Sequence, residues 1–586
     1  VEITNSDPRR GIGHEKVLTR ITIDDEAVWY AAEQGYGLDQ VPPKGVRVFL
    51  KRTGNMSTGG ISIDRTEEIH PENAEIAEQA AKVIGLDIAG IDFICPDISV
   101  PVRETGGGIV EVNAAPGFRM HTNPTEGEPQ YVAKPVLDAL FPPGSTARIP
   151  IIAVTGTNGK TTTARMISHI LKGMGRKVGM TSTDGIYIDG RPIRRGDMSG
   201  PKSASMVLQN PLVDTAVFEV ARGGILREGL GYQRNDVAVV LNVAADHLGL
   251  GGISSLRQLA GVKQVVVEAV PRSGVAVLNA DDSRVAGMAS ACSGSIIYFS
   301  LDPDHEILRR QASRGRRAVT IEPGRNGEMI VLRQGRKSLP LVWTHLIPAT
   351  FEGRARMNVV NALAATAAAW AAGAHLHDIR QGLRTFATSY FQAPGRLNLF
   401  ELDGYRVLVD YAHNPHAMAA LGSFVDALAA EDPNGHRPLV TGRRIGVVAT
   451  AGDRRDQDIR ELGRVAAAHF DQLVVREDAN PRGRKRGVTA ALMVEGIEAA
   501  MRDGARCQQV DTILDELAAT RHALDLGRAG DLVVLCVDHA NLAWKELQQR
   551  SHGTPAGEST AELDTNGDLD ADGGGSADAD AEPEPG

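Results

Sequence analysis

The stretch "IIAVTGTNGKTTTARMISHIL", Ile151 to Leu171, decides how the rest of the chain is read. Its first four residues are apolar and read as a strand, "TGTNGKT" reads as a turn, and the run that follows has helical spacing up to a glycine. Strand, glycine turn and helix in that order form the context that a phosphate-binding loop needs. The glycines let backbone N–H groups turn inward, the helix N-terminus adds partial positive charge, and a lysine reaches the outer phosphates. The segment G-T-N-G-K-T is shorter than the G-x-x-x-x-G-K-[ST] form when counted from Gly156, with the same mechanics. Thr155, Gly156, Thr157, Asn158, Gly159, Lys160, Thr161 and Thr162 are therefore the candidate nucleotide contacts, and Thr161 is placed to ligate Mg²⁺. A tight turn with an incidental lysine is the plain alternative.

Beyond the loop, "TAVFEVA", "VAVVLNV" and "VAVLNA" alternate with helical segments, which predicts a parallel sheet covered by helices on both faces. A second α/β unit begins near Gln392 with "YRVLVDYAHN", "RIGVVATAG", "QLVVRED" and "DLVVLCV". Before the loop, "VRVFLKRT", "GISIDRT" and "GIVEVNAAPG" surround one helical stretch, "PENAEIAEQAAKVIGL", an α+β piece that "FPPGSTARIP" links to the rest. The expected fold class is a multidomain α/β chain divided at 1–147, 148–391, 392–548 and 549–586. Val1 opens inside what reads as a domain interior, so a preceding portion is expected.

Charge is unevenly placed. The net −10 of the 586 residues resides in Ser551–Gly586, which holds ten Asp and Glu and no Lys or Arg, leaving 63 acidic against 63 basic residues elsewhere. With no apolar periodicity that tail is expected to be disordered. Its "DLDADG" imitates half of a calcium loop but has Ala579 where a bidentate Glu is needed. The basic runs "RRQASRGRR" and "RGRKRG" lack interleaved aromatics, so solvated faces are favoured over nucleic acid, and a contact between "NPRGRKRG" and an anionic chain stays open. "EDPNGHRPLVTGRR" reads as a surface insertion. Four scattered cysteines give neither a disulfide framework nor a zinc site, and no run of about 18 apolar residues occurs, so a cytoplasmic, membrane-free protein is expected.

Downstream of the loop, Glu219 in "VFEVARGGIL", Asn242, Asp246 and His247 in "LNVAADHLG", "LNADD", Asn358 and Asn361 in "MNVVNALAA", Arg396 in "APGRLNLF" and Asp410 in "VDYAHNP" follow in one order. Loop and companions together resemble the Mur ligase superfamily of ATP-dependent amide-forming enzymes. The resemblance implies that Glu219 and His247 hold magnesium, that Asn358 and Asn361 lie near the adenine, and that Arg396 and Asp410 close over the nucleotide. It also implies that Lys263 stands where the family often carries a carbamylated lysine. The plain alternatives are solvent-facing charges for Glu219, Lys263, Arg396 and Asp410, a satisfied core histidine for His247, and capping or mutual pairing for Asn358 and Asn361.

In the first 147 residues, "GIDFICPD" and "GGIVEVNAAPGFRMH" put Asp92 on one strand, and Glu111 and Asn113 two apart on another, on one face. Such a set resembles the magnesium-binding end of the ATP-grasp fold. The pairing of the two modules, with runs such as "STGGISIDRTEEIHPENA", "EVNAAPGFRMH", "ARGGILREGL" and "AGDRRDQD", closely resembles the cyanophycin synthetase family, here without its N-terminal domain and the front of the ATP-grasp fold. The resemblance implies acyl-phosphate chemistry with ATP and Mg²⁺ in which L-aspartate extends a backbone and L-arginine joins its β-carboxylates. It implies as partners the growing cyanophycin chain and further copies of the chain in a homo-oligomer, often a tetramer, and it implies that the truncated ATP-grasp part alone adds no aspartate. A cell-wall precursor ligase and a non-catalytic ATP-binding scaffold are the rival readings.

Overall fold

The computed structural model describes residues 1–12, 16–145, 148–431 and 438–551. The acidic tail with its calcium-like run and the core of the expected insertion lie outside these. The chain divides into two compact units, Val1–Arg148 and Ile149–Gly586.

In the first unit, β1 (Arg10–Gly11) pairs in parallel with β2 (Leu18–Thr19), and β3 (Gly90–Ile94) pairs antiparallel with β4 (Gly108–Asn113). The predicted helix runs Pro71–Ile84, with Pro at its first turn, the His70 side chain accepting from the Glu72 N–H, and Gly85 ending it at φ 83°. Buried apolar side chains among the described residues are few here: Leu18, Ala27, Ala31 and Val102. Asn73 fills the interior with hydrogen bonds instead, donating to the carbonyls of Ile98 and Val100 and accepting from the Val102 N–H.

The second unit is built on β5 (Ile151–Thr155), buried at every residue as a strand covered on both faces must be. Its neighbours are β9 (Thr215–Glu219) on one side and β10 (Val237–Val240) on the other, both parallel to it. β6 (Val178–Ser182) lies outside β9, with β7 (Gly185–Ile188) and the edge strand β8 (Arg191–Arg195) added antiparallel. On the far side β11 (Val275–Asn279), β12 (Ser295–Ser300) and β13 (Arg317–Gly324) continue in parallel, and β14 (Gly327–Gln334) and β15 (Lys337–Trp343) finish the sheet antiparallel. The chain winds one way from β5 and then the other from β10, so the carboxyl ends of β5, β9 and β10 frame a crevice, the usual ligand position in such sheets.

A separate six-stranded sheet follows: β16 (Asn398–Leu402), β17 (Tyr405–Asp410), β18 (Arg444–Val448), β19 (Gln472–Val475), β20 (Gln509–Thr512) and β21 (Leu532–Cys536), in the order 16-17-21-18-19-20. Only the β16–β17 hairpin is antiparallel. Each sheet carries apolar clusters on both faces. On the second, helices Asp456–Ala467 and Val488–Arg502 cross at two glycines. A Cβ on Gly496 would lie 2.0 Å from the Arg460 carbonyl oxygen, and one on Gly463 2.3 Å from that of Met493. Gly496→Ala is therefore expected to destabilise by about 1–3 kcal/mol through overpacking. Gly261→Ala, in helix Leu256–Glu268 with open space around it, should instead stabilise by about 0.5–1 kcal/mol. Urea unfolding of both variants checks the pair.

Candidate active site

The turn after β5 is shaped by what it packs against. Gly159 has φ 87°, and a Cβ there would sit 2.4 Å from Oδ1 of Asn361, so neither its conformation nor its space admits another residue. Asn242, at the end of β10, pins the loop: its Oδ1 accepts from the N–H groups of Thr157 and Asn158 at 3.1 and 2.9 Å, and its Nδ2 donates to the Asn158 carbonyl at 3.1 Å. The Thr155 hydroxyl donates to Val220 O at 2.9 Å, tying the strand end to β9, and Thr162 is buried behind the loop. Lys160 heads the helix Lys160–Gly173 and its Nζ lies on the Thr157 carbonyl at 3.1 Å.

Glu219 ends β9 beside this loop and is 1% exposed. Its Oε2 accepts from the Thr161 hydroxyl at 2.9 Å and the Thr183 N–H at 3.1 Å, whereas Oε1 is buried without any hydrogen bond, 4.0 Å from Lys160 Nζ. A buried carboxylate oxygen left open next to a threonine hydroxyl is an oxygen-only donor set, the kind a hard divalent cation takes. Thr161 and Glu219 fit magnesium on that ground. Lys263 is also buried, its Nζ donating to the Gly156 carbonyl at 2.8 Å. Burial, reinforced by the nearby Lys160 charge, lowers its pKa to about 7.

From the second sheet several side chains reach the loop. Arg396 stacks on Tyr411 at 4.6 Å, and its Nη2 lies 3.4 Å from the hydroxyls of Thr161 and Thr183. Asp410 accepts from the N–H groups of Leu397 and Ala412 at 3.0 and 2.9 Å, fixing the turn that presents Arg396; burial raises its pKa, against the lowering effect of Arg396. Asn414 caps helix Pro415–Ala429 and exchanges amide hydrogen bonds with Asn158 at 3.0 and 3.3 Å. Asp246 is buried and receives Arg454 Nε at 2.9 Å, with His413 Nε2 at 3.6 Å. Burial tends to raise the Asp246 pKa, but His413, Arg454 and His247 outweigh it and hold the carboxyl well below the usual carboxylate range.

His247 has a left-handed backbone, φ 55°, and Arg454 Nη2 stands 2.9 Å from its Nε2. Burial lowers its pKa to about 4, so the ring is neutral at physiological pH and its free nitrogen faces the guanidinium. The structure thus gathers Lys160, Thr161, Glu219 and Arg396 at one point and Lys263, Asn361 and His247 around the same cavity of about 1360 Å³. Asn358 also lines it but spends its Nδ2 on the Ala349 carbonyl at 2.7 Å, and its Oδ1 accepts from Asn361 at 3.0 Å. In the first unit Asp92 stands directly across from Glu111, with Asn113 two residues along β4. Among the described residues no group of three His, Cys, Asp or Glu side chains gathers in a metal-binding cluster.

Sequence reasoning passed over Arg454, Asn414, Thr183 and His413 as site residues, although "AGDRRDQD" and "VDYAHNP" contain three of them. Arg484, considered for an anionic ligand, is tied to Gly452 O, Arg454 O and Asp456 and braces the turn that carries Arg454.

Residues 154–369 match the Mur ligase middle domain and residues 395–537 the Mur ligase glutamate ligase domain. Both matches are to domains of Mur ligases, and together they take in most of the second unit. The chain is also similar along nearly its whole length to cyanophycin synthetases: that of Synechocystis sp. (strain ATCC 27184 / PCC 6803 / Kazusa) is 50% identical over 94% of this chain and 61% of its own length. That of Trichormus variabilis is 48% identical over 94% of this chain and 59% of its own. The chain thus spans about 60% of the length of these relatives. Among solved structures, E. coli FolC in complex with DHPP and ADP is 20% identical with a TM-score of 0.49, covering 69% of this chain and 90% of that one.

Two outcomes follow for the buried charges. Removing Arg454 takes the guanidinium from the buried Asp246 carboxylate and leaves it with only His413, His247 and Asn414 beside it, so Arg454→Met should destabilise by about 3 kcal/mol in denaturant unfolding. Lys263 has a folded pKa below its unfolded 10.5, so the unfolded chain binds more protons between about pH 7 and 10.5 and stability rises with pH there. Lys263→Met removes this dependence. Its Tm relative to the parent should be highest below pH 7 and fall as the pH is raised to 10.

Proposed function

We propose that the chain is an ATP-dependent acid–amino-acid ligase of the cyanophycin synthetase type, whose Mur-like unit joins L-arginine to the β-carboxylate of aspartate residues on a growing poly-aspartate chain. In this reading the first unit belongs to the module that adds L-aspartate, with Asp92, Glu111 and Asn113 as its magnesium end. The observation that carries the reading is the convergence on one cavity of the phosphate loop, the open Glu219 Oε1 and Arg396 from the second sheet. The 50% identity to a cyanophycin synthetase supports the choice of substrates.

The residues divide the task as follows. N–H groups of the Gly156–Thr161 turn and Lys160 hold the β- and γ-phosphates, and Asn358 and Asn361 border the nucleoside. Magnesium held by Thr161 and Glu219, with His247 near, would neutralise phosphate charge there when bound. The aspartate β-carboxylate attacks the γ-phosphorus; its O–P bond forms as the bond to ADP breaks, leaving an acyl phosphate. Arg396 meets the charge that develops on the transferring group. Arginine's α-amine then attacks the acyl carbon, the C–N bond forms, the C–O bond to phosphate breaks, and the amine loses a proton to the medium. Asn414 on Asn158 and Arg454 on Asp246 keep the cleft closed and exclude water from the acyl phosphate. At a pKa of about 7 Lys263 has the neutral amine that carbamylation needs.

A cell-wall precursor ligase is disfavoured by the Glu-x-Asn module that precedes the loop. A cytoplasmic setting agrees with the four free thiols, and a homo-oligomer is part of the proposal. Phosphate release from ATP and Mg²⁺ with an aspartate-containing primer should depend on added arginine, and Lys160→Ala should lower arginine addition by roughly 10²–10³. Release indifferent to arginine overturns the proposal.

A further inference from the structure

Three cations of the cavity have no established role. Arg194 stands on edge strand β8, Lys202 on helix Pro201–Leu208 and Arg227 on helix Arg222–Glu228, all lining the cavity that contains Glu219. The two helices are held together by close backbone approach: a Cβ on Gly231 would lie 2.4 Å from the Pro201 carbonyl, and one on Gly224 3.2 Å from the Gly200 Cα. Their cations therefore share one wall.

These charges are barely neutralised. Arg194 makes no ion pair among the described residues and hydrogen-bonds to Met206 Sδ at 4.0 Å, Lys202 lies 3.6 Å from Glu228, and Arg227 makes no ion pair or side-chain hydrogen bond among the described residues. Asp197, the other carboxylate on this wall, accepts from the Ser199 N–H and hydroxyl. By contrast Arg222, at the start of the helix that carries Arg227, is committed to the Leu250 carbonyl. In a body with equal numbers of acidic and basic residues, such a wall is a place for an anion.

We infer that Arg194, Lys202 and Arg227 bind carboxylates of the acceptor chain. The inference rests on the proposed function. An aspartate about to be phosphorylated on one carboxylate belongs to a chain with others, and these would repel the triphosphate unless held elsewhere. Guanidinium groups grip carboxylates in pairs of hydrogen bonds, and a lysine adds a mobile charge.

The test uses the full chain with Arg194→Ala, Lys202→Ala and Arg227→Ala, singly and combined. Its probes are a fluorescent oligo-aspartate peptide for binding and arginine-dependent turnover for KM. The triple variant should bind the peptide roughly tenfold more weakly or worse and raise the primer KM in step, with the KM values for ATP and arginine within about twofold. Lys202→Arg should retain the affinity that Lys202→Ala loses. Unchanged peptide affinity and primer KM in a triple variant that still turns over overturns the inference. Peptide binding lost in the variant, in a protein whose parent shows no arginine-dependent turnover, refutes the proposed reaction while upholding the anion site.

Discussion

The interaction on which the second unit depends is the burial of Glu219 at the end of β9 with one oxygen satisfied and the other open. A carboxylate removed from water at such a point is costly unless a positive partner is supplied, and among the described residues its one ion pair is with Lys160 at 4.0 Å. The remaining deficit is a standing attraction for a cation and, through it, for phosphate. Strand order explains how it arises: β9 and β10 flank β5, so Glu219, the loop and Asn242 lie side by side without any long connection.

Around that point the second sheet acts as a lid made of side chains. Arg396, Asn414 and Arg454 come from three separate turns at the ends of its strands and helices, and each touches a different part of the central crevice. Glu219 and Lys263 are the most shielded of these charges, Asp246 and Arg454 are nearly as buried, Arg396 faces the loop, and the loosely partnered Arg194, Lys202 and Arg227 line the same cavity.

Much of this was legible in the sequence because it is local. Strand, turn and helix around Gly156–Thr161 follow from adjacent residues, and so do the capped helix Pro71–Ile84 and the strand-end position of Glu219. The expected fold class, a Mur ligase-like α/β chain, holds for the two sheets. Illegible were pairings across long separations: Asp246 meets Arg454 over 208 residues and Asn158 meets Asn414 over 256. Within its own segment, Arg454 is one arginine in a charged run, and only the packing of the second sheet against the first singles it out from Arg455, which pairs locally with Asp458. Arg484 shows the converse, a basic residue whose surroundings convert apparent surface charge into a brace.

The Asp246–Arg454 pair has a mechanical consequence. Both groups are nearly shielded from solvent and belong to opposite halves of the unit, so separating the halves rehydrates two charges at once. Half-separated geometries, with one charge wet and its partner still dry, are the most costly. The joint should behave as a latch with two positions, and not as a hinge that swings by degrees.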